Sequence, residues 1–241
     1  MSDTVGVRCW GYNFYGQLGD GTTTDLHNPP SSDVLAGVSQ IAAGYGHTCA
    51  LMSGSGGVRC WGYNSNGQLG DGTTTDLHSP PSSDVLAGVS QIAAGSYHTC
   101  ALMMSTSGVR CWGYNSNGQL GDGTTTSLYS PPGSDVLTGV SQIAAGSSHT
   151  CTLMRGTGGV RCWGFNNFGQ LGDGTTTNVH SPPSNGILTG GSQITTGQFY
   201  TCALIGSTGG VRCWGYNYYG QLGDGTTADL HSPPSSDLLF L

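Results

Sequence analysis

Apolar residues along the chain fall in short runs divided by turn formers. VSQIAAG (89–95) is apolar enough for a buried strand, and HTCALM (98–103) and GVRCWGYN (108–115) follow it. The Ser, Thr and Gly residues between the last two suit a tight hairpin. NGQLGDGTTT (117–126) is rich in turn formers. SPPSSDVL (79–86) closes a unit, and its proline pair fits an edge or a connection, because proline cannot donate to a central ladder.

The pattern repeats. Cys9, Cys60, Cys111, Cys162 and Cys213 are spaced by 51 residues, and so are Trp10, Trp61, Trp112, Trp163 and Trp214. A second set, Cys49, Cys100, Cys151 and Cys202, has the same period. Four short strands in a unit of roughly 50 residues are the size of a propeller blade.

These residues carry a family resemblance. GVRCWGYNSNGQLGDGTT (57–74) and PPSSDVLAGVSQIAAGSYHTCAL (80–102) resemble the RCC1 repeat (regulator of chromosome condensation). That repeat has a W-G-x-N-x-x-G-Q-L-G core and a G-x-x-H-x-x-x-L strand. The resemblance covers nearly the whole chain and implies an all-β, RCC1-like β-propeller, or an open propeller array, of four-stranded blades. On the 51-residue period, one repeat domain (1–241) holds a half-blade (5–36) and four complete blades, at about 37–87, 88–138, 139–189 and 190–241. Family propellers usually have seven blades, and this chain has material for fewer than five.

Pairing strands about the hairpin centre sets Leu51 opposite Val58 and Cys49 opposite Cys60. Opposed cysteines on antiparallel strands have close Cβ atoms. Four disulfides are therefore expected: Cys49–Cys60, Cys100–Cys111, Cys151–Cys162 and Cys202–Cys213. The alternatives are reduced thiols and a zinc site, although zinc ligand pairs usually sit closer in sequence. Cys9 is left unpaired, or bridged to another chain. Disulfides imply an extracellular or cell-surface location, with the periplasm as a further possibility. The half-blade would expose a sheet edge. That edge reads either as a piece of a longer array or as a surface covered by a second copy, giving an oligomer or a filament.

Charge narrows the partners. The chain has no Lys and no Glu, 6 Arg against 13 Asp, and a net charge of −7. Nucleic acid is not an expected partner, since dispersed arginines make no basic patch. No apolar run approaches the roughly 18 residues of a membrane helix, so no membrane insertion is expected. No secretory signal is legible after Met1.

Other candidates have plainer readings. His47, His98 and His149, with Tyr200 in the fourth unit, read as packing or hydrogen-bonding residues. So do His27, His78, His180 and His231, with Tyr129 breaking that set. DGTTTD (71–76) offers oxygen donors of the kind calcium takes, but turn chemistry explains it as well. No metal and no cofactor are expected. No catalytic constellation appears, since a periodic array spreads identical groups evenly.

The varied positions are more informative. Phe14-Tyr15, Ser65-Asn66, Ser116-Asn117, Asn167-Phe168 and Tyr218-Tyr219 occupy one place in five nearly identical units. Exposed aromatics favour interfaces. Phe14, Tyr15, Phe168, Tyr218, Tyr219 and Phe240 are the candidate contact residues. WGYNSNGQLGDG also holds the aromatic and amide groups that sugar sites use. The resemblance admits guanine-nucleotide exchange on chromatin, which the expected disulfides oppose, and inhibition of secreted enzymes such as β-lactamase. The reading is a non-enzymatic, extracytoplasmic scaffold that self-assembles through its half-blade. The alternatives are a monomeric protein-binding or inhibitor module and a multivalent glycan-binding propeller.

Overall fold

The computed structural model describes residues 5–240, and all of their regular structure is β. β1 (Gly6–Val7) and β2 (Leu35–Ala36) form a two-stranded sheet. Three three-stranded antiparallel sheets follow. The first is β3 (Val38–Ala43), β4 (His47–Met52) and β5 (Val58–Gly62). The second is β6 (Val89–Ala94), β7 (His98–Met103) and β8 (Val109–Gly113). The third is β9 (Val140–Ala145), β10 (His149–Met154) and β11 (Val160–Gly164). The last sheet has four strands: β12 (Gly191–Thr196), β13 (Tyr200–Ile205), β14 (Gly210–Gly215) and β15 (Leu239–Phe240).

The expected fourth strand is thinner than the sequence suggests. In the first three complete blades it is reduced to two isolated bridges, such as Gly62 with Leu77 and Val58 with Leu86. Pro80 and Pro81 lie between those bridges and have no N–H to donate, so the ladder cannot run on.

Hairpin register sets Cys49 opposite Cys60 and Leu51 opposite Val58, and the other blades repeat it. The structure holds four disulfides, Cys49–Cys60, Cys100–Cys111, Cys151–Cys162 and Cys202–Cys213, each with Cα atoms 4.1 Å apart. Cys9 is a free, half-buried thiol.

The hydrophobic core lies between blades. One cluster joins Cys49, Leu51, Val58, Cys60 and Leu69 to Val89, Ile92, Ala101, Met103 and Trp112 of the following blade. The VSQIAA strands are also stitched across blades by glutamine. Gln40 Nε2 donates to the Ile92 carbonyl at 2.8 Å, and the Ile92 N–H donates to Gln40 Oε1 at 2.9 Å. Gln91 grips Ile143 and Gln142 grips Ile194 in the same way. The ends of all four strands meet at one cavity of about 350 Å³, lined by Tyr45, Ser96, Ser147 and Gln198 among others.

Candidate functional site

The WGYNSNGQLGDG motif builds a clasp between blades. Asn64 is fully buried, and its Oδ1 accepts the Leu69 N–H at 3.0 Å. Its Nδ2 donates to Asp71 Oδ1 and to the Thr73 and Thr75 carbonyls. That fixes the loop so that the Gln68 carbonyl points at the next blade. There it accepts Trp112 Nε1–H at 3.0 Å and the Thr99 hydroxyl at 2.8 Å. Gly70 has φ +78°, and a Cβ there would lie 2.6 Å from the Trp112 indole nitrogen, so only glycine lets the loop lie on the ring. Trp61, Trp112, Trp163 and Trp214 are 0% exposed, whereas Trp10 is 55% exposed. A cavity of about 380 Å³ beside Trp10 is lined by Cys9, Tyr12, Ile41 and Tyr45 among others.

The buried histidines complete the clasp. His47 Nε2 lies 3.0 Å from Thr99 Oγ1. The Thr99 proton is already given to the Gln68 carbonyl, so Nε2 must carry the donated hydrogen and Nδ1 is bare. His98 with Thr150 and His149 with Thr201 repeat the arrangement. Burial lowers all three: His47 and His149 to about 4, and His98, which also faces the other two, to about 3. They are therefore neutral at pH 7. The second set packs between blades, with His78 against Gly16, His180 against Gly118 and Tyr129 against Gly67. Among the described residues no cluster of three or more His, Cys, Asp or Glu could hold a metal ion.

Above the clasps lies an aromatic face. The second residue of each varied pair is held through its backbone, as Tyr15 N–H to Gln17 Oε1 and Tyr219 N–H to Gln221 Oε1. The side chains project and gather in two clusters. In one, Tyr15 meets Phe14 at 5.0 Å and Tyr63 at 4.5 Å between ring centroids. Tyr63 continues to Tyr97, which touches Tyr45 at the cavity mouth. In the other, Phe168 meets Tyr216 at 4.7 Å and Phe199 at 5.2 Å, and Tyr216 carries Tyr218 and Tyr219. Phe14, Tyr45, Tyr218 and Tyr219 are 63–80% exposed. Burial and neighbouring phenols raise the Tyr97 hydroxyl, so it stays protonated.

Five of the six expected contact residues thus fall into these clusters. The sixth, Phe240, pairs with Gly210 through its backbone in β15, and its side chain lies outside the described part. Tyr45, Tyr97 and Phe199 join the face without being among the expected residues. They sit just before the His47, His98 and Tyr200 positions, in a pair that also varies between units: YG, SY, SS and QF.

Interlocking β-blades with a fixed clasp and a varied face define a tandem-repeat propeller scaffold. A family model, "Regulator of chromosome condensation (RCC1) repeat", matches residues 7–51, 55–102, 109–153 and 157–204, and a second model of that repeat matches 38–68, 89–119 and 140–170. The chain belongs to the RCC1 repeat family. It is 33% identical over 242 residues to the ultraviolet-B receptor UVR8 of Arabidopsis thaliana, covering 97% of this chain and 54% of the receptor. It is 36% identical over 203 residues to the probable E3 ubiquitin-protein ligase HERC4 of Homo sapiens, covering 81% of this chain and 19% of the ligase. The crystal structure of human WBSCR16 superposes with a TM-score of 0.78 at 28% identity, covering 95% of this chain and 62% of that one. Yeast RCC1 (Prp20), solved with Kap60, shares the fold with a TM-score of 0.79 at 24% identity, covering 97% and 58%. The chain spans about half the length of UVR8.

Proposed function

We propose that the chain is a non-enzymatic, extracytoplasmic protein-binding scaffold whose contact surface is the aromatic face. One observation carries this reading: exposed rings cluster where the repeat leaves side chains free, above a clasp that needs none of them. Tyr and Phe supply large contact area at low entropic cost. The four disulfides support an oxidising location. Yeast RCC1 is a family member crystallised with a protein partner, Kap60.

The test replaces Tyr218-Tyr219 with Ser-Asn, the pair that two inner units already carry. Proteins cross-linked to the wild type should be lost from the variant at unchanged melting temperature. Retention of every partner overturns the reading, and loss of saturable oligosaccharide binding alone would replace it with glycan recognition.

A second reading is self-association, favoured by the exposure of Trp10. In it a second copy supplies the Gln-Leu-Gly loop that covers Trp61, Trp112, Trp163 and Trp214 internally. Sedimentation velocity should show concentration-dependent association that Trp10→Ala abolishes. A single monomeric species across concentrations sinks it.

A further inference from the structure

Each unit places an arginine in its VRCWG strand, and four of the five pair it with an aspartate 25 residues on. Arg8–Asp33, Arg59–Asp84, Arg110–Asp135 and Arg212–Asp237 are joined Nε to Oδ1 at 2.6–2.7 Å. In the complete blades a hydroxyl from the hairpin turn supports the carboxylate. Ser55 donates to Asp84 at 3.4 Å, and Thr106 and Thr208 stand beside Asp135 and Asp237 and lower their carboxyls. These contacts hold the Asp237 carboxyl below the usual range, Thr208 first and Arg212 next. The Asp135 carboxyl is also lowered: burial pushes it up, but Thr106 and Arg110 outweigh that.

The 139–189 unit keeps the receptor and lacks the carboxylate. Gly186 stands where the period places aspartate. The Arg161 Nε is buried without a hydrogen-bond partner. Thr157 matches Thr106 and Thr208, and its Oγ1 accepts the Gly159 N–H at 3.1 Å. Among the described residues its own proton has no acceptor. In the sister units the glycine equivalent to Gly159 lies against aspartate: Gly57 against Asp84, Gly108 against Asp135 and Gly210 against Asp237. A Cβ on Gly159 would meet Thr157 Oγ1 at 3.2 Å and no carboxylate. Thr157 is exposed at the rim of the place, whereas Arg161 Nε at its floor is buried. Charge points the same way. This unit holds Arg155, Arg161 and a single aspartate, Asp173, and is the one positive unit in a chain of net charge −7.

We propose that the third complete blade is a receptor for one carboxylate group, gripped by Arg161 Nε–H and Thr157 Oγ–H, and that a partner polypeptide supplies it. The four internal aspartates show the geometry the ligand adopts. Charge-assisted bonds of this kind are short and directional. The site lies near the start of β11, whereas Phe165, whose ring lies 6.1 Å from Phe168 and 5.9 Å from Phe199 in the aromatic face, follows its end, so the site stands or falls apart from that face.

The test is NMR of the arginine Nε–H groups in the full chain. Acetate and an acetylated, amidated Gly-Asp-Gly peptide are titrated at constant ionic strength against chloride. The expected result is saturable movement of the Arg161 resonance with both, the peptide acting at several-fold lower concentration, and none with chloride. Gly186→Asp should abolish both responses, because it restores the internal partner. Gly186 does not sit at positive φ and four units carry aspartate there, but its Cβ would lie 3.2 Å from the Leu188 and Val160 carbonyl oxygens, so circular dichroism checks the fold of this variant beside that of Arg161→Gln. No saturable movement, or movement that survives Gly186→Asp, overturns the site. Acetate acting at least as well as the peptide overturns the polypeptide source in favour of a free small acid.

Discussion

Acid should unfold this chain through His47, His98 and His149. Each has a folded-state value lowered by burial, to about 4, about 3 and about 4, against about 6.5 for an unfolded histidine. The unfolded chain therefore takes up protons first as pH falls, and stability that is complete above pH 6.5 is lost below it. At pH 5 an unfolded histidine gains about 2 kcal/mol from protonation that the folded one cannot share, so three cost about 6 kcal/mol. A typical domain has only about 5–15 kcal/mol in hand. The aspartates with lowered values, Asp20, Asp135, Asp224 and Asp237, act the same way but only nearer pH 4 and below, so the interval from 6.5 to 5 isolates the histidines. The assay is guanidinium unfolding followed by tryptophan fluorescence at pH 7.5, 6 and 5, disulfides intact. His98→Tyr, which installs the residue found at Tyr200, should remove about a third of the slope. A free energy of unfolding that is flat from pH 7.5 to 5 would refute the buried, neutral tautomer.

Other tests probe the joints between blades. Gln91→Ala should cost about 2–3 kcal/mol in chemical unfolding, since it removes two bonds and strands the Ile143 N–H. Trp112→Ala should cost about 3–5 kcal/mol, while Trp10→Ala on a folded monomer should cost under about 1 kcal/mol. Removing one disulfide through Cys100→Ser and Cys111→Ser should lower stability by about 2–3 kcal/mol, read as a shifted guanidinium midpoint. Cys9 should alkylate more slowly than a free thiol at pH 8, because burial pushes it up.

The strands are legible because VSQIAA, HTCALM and VRCWG are apolar runs bounded by turn formers, and one hairpin centre fixes Cys49 opposite Cys60. In the first three complete blades the fourth strand shrinks to two bridges, because Pro80, Pro81 and their counterparts have no N–H to donate. The glutamine stitches are not legible. Gln40 looks like a solvated polar position until the neighbouring blade brings Ile92 to it. Tyr45, Tyr97 and Phe199 escape a reading that weighs one varied pair per unit, since the fold brings two varied pairs to the same face. The broken aspartate period at Gly186 is visible by self-comparison alone, but only the pairing of Arg59 with Asp84 and its counterparts gives it meaning.

The loop beneath the aromatic face separates what must stay from what can change. Gln17, Gln68, Gln119, Gln170 and Gln221 grip the second member of each varied pair by its main chain, which every residue except proline presents alike. The surface can therefore be rewritten one unit at a time without renegotiating the interior. Duplicating a unit copies a finished joint together with a blank site. A lineage of such chains could diversify its contacts quickly while its architecture stood still.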